Sequence, residues 1–143
     1  MKKYMILIST LFSFFLIPNL VSADIYSGPS SDFFVGALGL TLIIESMVTL
    51  AFLFITKISP KVLTSVIIAN LISLPIVWFV FPPTSNDLLV IFLAELFAVV
   101  FEGYFIHFFN KKTISLKKSF ALSILMNLAS FFIGEFIFSV FIL

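Results

Sequence analysis

Residues 87–109 read DLLVIFLAELFAVVFEGYFIHFF, and beyond the leading Asp87 the only acidic residues in this apolar run are Glu95 and Glu102. A helix rises about 1.5 Å per residue, so roughly twenty residues cross the ~30 Å hydrocarbon layer of a bilayer. The run is long enough to be a transmembrane span, and three more of similar length surround it. The four spans are expected at residues 33–56, 61–81, 87–109 and 118–138 or beyond. Alternating strand patterns are absent, which argues against a β-barrel. With 62% hydrophobic and 10% charged residues in 143, the composition lies far from that of soluble domains. The expected fold class is therefore all-α: a polytopic membrane protein, a four-transmembrane-helix bundle behind an N-terminal signal sequence.

The near-zero net charge hides a partition. All basic residues are lysines, lying between or before the hydrophobic runs, while every glutamate lies inside one. Met1-Lys2-Lys3, an apolar stretch over residues 4–17, Pro18 and Val21-Ser22-Ala23 follow the basic, hydrophobic and small-residue order of a secretory signal. Residues 1–23 are read as a signal peptide cleaved after Ala23, with an uncleaved anchor helix as the alternative. Residues 24–32 form a short extracytoplasmic tail with Ser27-Gly28-Pro29-Ser30-Ser31.

Lys57 and Lys61 flank the first connection between spans, and Lys111, Lys112, Lys117 and Lys118 flank the third. The second, at residues 82–87, has no lysine. The positive-inside rule places both lysine-flanked loops in the cytoplasm and both mature ends outside, in the cell membrane. A signal that exports Asp24 gives the same topology independently.

Self-comparison at an offset of 57 residues, without gaps, lays Glu45 on Glu102, Thr56 on Thr113, Lys61 on Lys118, Asn70 on Asn127 and Ser73 on Ser130. Apolar matches mean little in so apolar a chain, but coincident intramembrane polar residues mean more. The reading is a tandem repeat of two hairpins, residues 33–81 and 88–143, joined by an outer loop at 82–87. Hairpins of equal orientation are related by a pseudo-two-fold axis along the membrane normal.

An acidic residue at the bilayer centre costs about 3 kcal/mol on an insertion scale, so it normally turns inward and finds a partner or a proton. Thr41, Glu45 and Thr49 recur every four residues, and Glu95, Ala98 and Glu102 share one face of the third span. Asn70 with Ser73, and Asn127 with Ser130 and Gly134, form complementary faces on the second and fourth spans. Asparagine suits a carboxyl because its amide donates two hydrogen bonds. The expected pairs are Glu45 with Asn70 and Glu102 with Asn127, or the same residues with partners exchanged across the pseudo-axis. The plainer alternative is interhelical glue, which for polar contacts in membranes averages about 0.6 kcal/mol.

Other polar residues carry less. Glu135 aligns with Trp78 and reads as interfacial, Trp78, Tyr26 and Tyr104 as interface anchors or packing residues, and Pro75 as a break in the repeat that frees a helix carbonyl. His107, the single histidine, stands about 140° around the helix from Glu102 and reads as interfacial rather than as part of a site.

No phosphate loop, metal-binding histidine pair or serine–histidine motif is recognisable. Enzyme activity is not expected, nor is a cofactor, a metal or a nucleic-acid partner. The absence of cysteine removes disulfides and thiolate chemistry. Expected partners are membrane lipids, whose anionic headgroups suit the lysines, and copies of the chain or a larger membrane protein. Two functions fit: a small transporter or channel component holding a proton or cation at Glu45 and Glu102, with Glu95, Asn70, Asn127, Ser73 and Ser130 around it, or a non-catalytic accessory subunit of a membrane complex.

Overall fold

Each apolar run folds into one helix: α1 Ser31–Thr56, α2 Val62–Val80, α3 Leu88–Phe109 and α4 Leu116–Phe141. The structure, a computed structural model, describes residues 31–81 and 88–141. The signal sequence, Tyr26 and the 82–87 loop lie outside the described residues. All four helices are long and apolar enough to cross a membrane, and no strand occurs among the described residues. Helix α1 begins at Ser31, two residues inside the expected tail.

Short connections make consecutive helices antiparallel, and the four close into a ring: α1 packs on α2 and α4, and α3 packs on α2 and α4. The lysine-flanked turns therefore gather at one end. The surface is inverted relative to that of a water-soluble bundle. Phe54 and Phe79 are 86% and 74% exposed, while Glu45 and Glu102 are each 1% exposed. Such a surface is stable against lipid, where apolar side chains lose nothing by facing outward.

Leu53, Val62, Val66, Ile106, Ile114, Leu122 and Met126 form one buried apolar cluster. Leu53, Val62, Val66, Ile106 and Leu122 lie toward the lysine-flanked ends of their helices, Ile114 lies in the turn between α3 and α4, and Met126 is at the inner edge, so the cluster plugs that end. Its floor is shaped by helix termini. Helix α1 ends in a paired cap in which Ile58 N–H donates to Leu53 O at 3.0 Å and Lys57 N–H to Phe54 O at 3.4 Å. That cap requires a left-handed residue, supplied by Lys57 at φ 55°, and it packs Ile58 against the cluster holding Leu53. Between α3 and α4, the N–H groups of Thr113 and Ile114 both donate to Asn110 O, at 2.8 and 2.9 Å, which turns Ile114 inward. Asn110 Nδ2 donates to Ser65 Oγ at 2.8 Å and ties this turn to α2. Pro75 lies inside α2 without ending it.

Candidate functional site

Polar side chains line much of the interior. Glu45, Thr49, Asn70, Ser73, Glu102, Ser119, Ser123 and Asn127 are all buried. The spacing of the sequence explains this, because Glu45 and Thr49 lie one turn apart on α1, and Ser119, Ser123 and Asn127 lie on successive turns of α4. Thr41 and Ser130 are half-buried at the edge of the same layer.

Glu102 on α3 is held from both sides. Ser73 Oγ on α2 donates to its Oε1 at 2.7 Å, and Asn127 Nδ2 on α4 donates to its Oε2 at 2.6 Å. The Asn127 amide also donates to Ser123 O at 2.9 Å. A backbone carbonyl only accepts, so this second bond fixes which way the amide points.

Glu45 on α1 is held from one side. Ser130 Oγ donates to its Oε1 at 2.8 Å, whereas its buried Oε2 has no hydrogen-bond partner. The Asn70 side chain stands close enough to interact with this carboxyl, but its Nδ2 hydrogen bond goes to Val66 O of its own helix at 3.2 Å. Of the two Glu–Asn pairs read from the sequence, Glu102 with Asn127 forms a hydrogen bond, and Glu45 bonds instead to a serine from the other hairpin.

Glu95, half-buried two turns before Glu102, comes near enough for its charge to act on both Glu45 and Glu102. Three carboxyls thus share one interior region. Among the described residues no group of three His, Asp or Glu side chains is placed to hold a metal ion.

The remaining candidates fall outside this layer. The His107 ring meets Ile114 O through Nδ1 at 3.2 Å near the lysine-flanked end, and since that oxygen only accepts, Nδ1 carries the hydrogen of the contact. Glu135 is exposed on α4. Trp78 packs edge-on against Phe34 with ring centroids 5.5 Å apart, and Tyr104 does the same with Phe120 at 5.0 Å. Gly134 has open space around it, and a Cβ added there meets nothing within 4 Å.

Ser119, Ser123 and Met126, all buried on α4, escaped the sequence reading. Ser123 Oγ donates to Val99 O at 3.0 Å and links α4 to α3, and Thr49 Oγ1 meets Met126 Sδ at 3.8 Å. The signal for Ser123 was present, since Ser119, Ser123, Asn127 and Ser130 share one face of α4 at spacings of four, four and three.

Four apolar helices around a polar interior give the architecture of a multi-pass membrane protein. Compared with known proteins, the chain matches no family model, no curated protein and no solved structure.

Proposed function

We propose that this chain is a small transporter or channel component that holds a proton or cation at Glu45 and Glu102. One observation carries the reading: two carboxyls, each 1% exposed, sit among apolar helices, and one of them keeps a buried oxygen without a hydrogen bond. A purely structural contact is served by glutamine without the cost of an ionisable group. The test is ion flux in vesicles reconstituted with the purified chain. Glu45→Gln with Glu102→Gln abolishes flux while leaving insertion and helical content intact; undiminished flux in the folded double variant sinks the proposal.

The second reading, an accessory or assembly subunit of a larger membrane complex, is favoured by Glu102. Both its oxygens are occupied by donors from neighbouring helices, as in an interhelical staple. Native mass spectrometry in mild detergent separates the two: a self-contained homo-oligomer supports transport, and a stoichiometric foreign partner supports assembly.

The tandem repeat is part of the same proposal. Ser73 bonds to Glu102 and Ser130 to Glu45, and the offset of 57 converts one pair into the other. The amides of Asn70 and Asn127 each donate to the carbonyl four residues earlier. The ring of helix contacts likewise maps onto itself when α1 exchanges with α3 and α2 with α4. A cleaved signal at 1–23, a cell-membrane location, outward ends and cytoplasmic lysine loops complete the reading, supported by the gathering of the lysines at one end. Because the chain has no cysteine, Ser85→Cys and Thr113→Cys report topology directly: an impermeant thiol reagent added to intact cells labels the first and spares the second.

A further inference from the structure

Each buried carboxyl is paired with a serine that has a second acceptor on its own helix. Ser130 Oγ lies 2.8 Å from Glu45 Oε1 and 3.1 Å from Asn127 O. Ser73 Oγ lies 2.7 Å from Glu102 Oε1 and 3.5 Å from Asn70 O. A hydroxyl carries one hydrogen and accepts through its lone pairs, so it donates to one acceptor at a time. An ionised carboxylate only accepts, and the serine hydrogen then points at it. A neutral carboxylic acid has an O–H of its own, which needs an acceptor. Ser130 becomes that acceptor without moving a heavy atom. Rotation about its Cβ–Oγ bond turns its hydrogen to Asn127 O, and the Oγ lone pair receives the Glu45 proton at the same 2.8 Å separation.

The two carboxyls differ in their readiness for this exchange. For Ser73 the second acceptor is too far for a good O–H···O bond, which spans about 2.5–3.0 Å, and both oxygens of Glu102 already accept from the protein. For Ser130 the second acceptor is nearly within that range, and Glu45 Oε2 is buried without a hydrogen-bond partner. The charged or titratable groups that face Glu45 are Glu95 and Glu102 of α3. Helix α2 presents Asn70 and α4 presents Ser130, both uncharged. Among the described residues the buried atom left without a partner is Glu45 Oε2, and no group of three His, Asp or Glu side chains is placed to hold a metal ion.

We infer that the ion exchanged at this site is a proton, taken up and released by Glu45, with Ser130 as the hydroxyl rotor that fits its hydrogen bonding to either charge state and Glu102 as the fixed partner. On uptake, hydronium transfers its proton to the Glu45 carboxylate and leaves as water, and the carboxyl changes from −1 to neutral. With the new O–H on Oε1, the hydrogen bond to Ser130 reverses direction, and the Ser130 hydrogen turns to Asn127 O. No other covalent bond forms or breaks, and release is the reverse. This inference deepens the transport reading and rests on it for the purpose of the proton, but not for its binding.

Infrared difference spectroscopy of the full chain in lipid vesicles, between alkaline and acidic buffer, tests it. The expected result is a carbonyl stretch of a protonated carboxyl that shifts in D2O, is lost in Glu45→Gln and persists in Glu102→Gln. In Ser130→Ala the same band moves to higher frequency, because the acid has lost its acceptor, and Ser130→Thr, which keeps the hydroxyl, restores it. If Ser130→Ala does not fold by its amide bands, Ser130→Cys supplies the weaker acceptor, and an intermediate displacement is expected. Absence of the band, its survival in Glu45→Gln, or an unmoved band in folded Ser130→Ala or Ser130→Cys overturns the inference. Flux without the band leaves transport standing with another cation; the band without flux leaves the Glu45 proton site standing and removes the transport reading.

Discussion

Ser130 on the last helix donates to Glu45 on the first at 2.8 Å, across 85 residues of chain. The bond closes the ring of helices and joins the two hairpins. Its counterpart from Ser73 to Glu102 joins them on the other side, between α2 and α3. Four side chains thus stitch each hairpin to the other at two places.

Asn127 and Asn70 are both buried but are expected to differ in cost. Removing the Asn127 amide strips a donor from the buried Glu102 Oε2, so Asn127→Ala destabilises by about 1–2 kcal/mol. The Asn70 amide donates to Val66 O of its own helix at 3.2 Å, and Asn70→Ala is expected to cost less than half of that. Unfolding of both variants in mixed detergent micelles measures the difference; equal costs contradict it.

Gly103 sits where α3 meets α4 beside the site. A Cβ there lies 3.0 Å from the Phe120 ring, which Tyr104 holds from its edge. Gly103→Leu is expected to cost about 1–3 kcal/mol through overpacking. Gly134→Ala meets nothing within 4 Å and is neutral or stabilising by up to about 1 kcal/mol. Thermal unfolding of the two variants side by side shows whether packing at Gly103 is as tight as this.

The apolar plug is expected to behave as an ordinary core. Leu122 is fully buried within it, and Leu122→Ala loses roughly 2–5 kcal/mol as the cavity forms. The loss reads out as a lowered midpoint of detergent-induced unfolding, and a drop well under 1 kcal/mol shows that the plug is not packed as described.

Lys57 holds a left-handed backbone conformation that costs a residue with a side chain about 1–2 kcal/mol. Lys57→Gly relieves it and is expected to raise stability by about 1 kcal/mol, while a β-branched Lys57→Val lowers it. The remaining lysines at the same end preserve the topology, which thiol labelling of the variant checks.

The number of spans, their limits to within a few residues and the inward faces of Glu45, Glu102, Asn70 and Asn127 were legible in the residues alone. Bilayer thickness, helix rise and the expense of a polar group in lipid are local, nearly one-dimensional constraints. Which donor meets which carboxyl was not. A change of one residue along a helix turns a side chain by about 100° and moves it about 1.5 Å, so partners across helices depend on relative rotation and shift, which only packing sets. Asparagine has the better donor group, yet Asn70 turns to the carbonyl one turn back in α2 while Ser130 reaches Glu45. The sequence by itself determined a four-span chain with its polar groups turned inward; the tertiary structure decided that Glu102 is held on both oxygens and Glu45 on one, because that depends on how closely neighbouring helices approach.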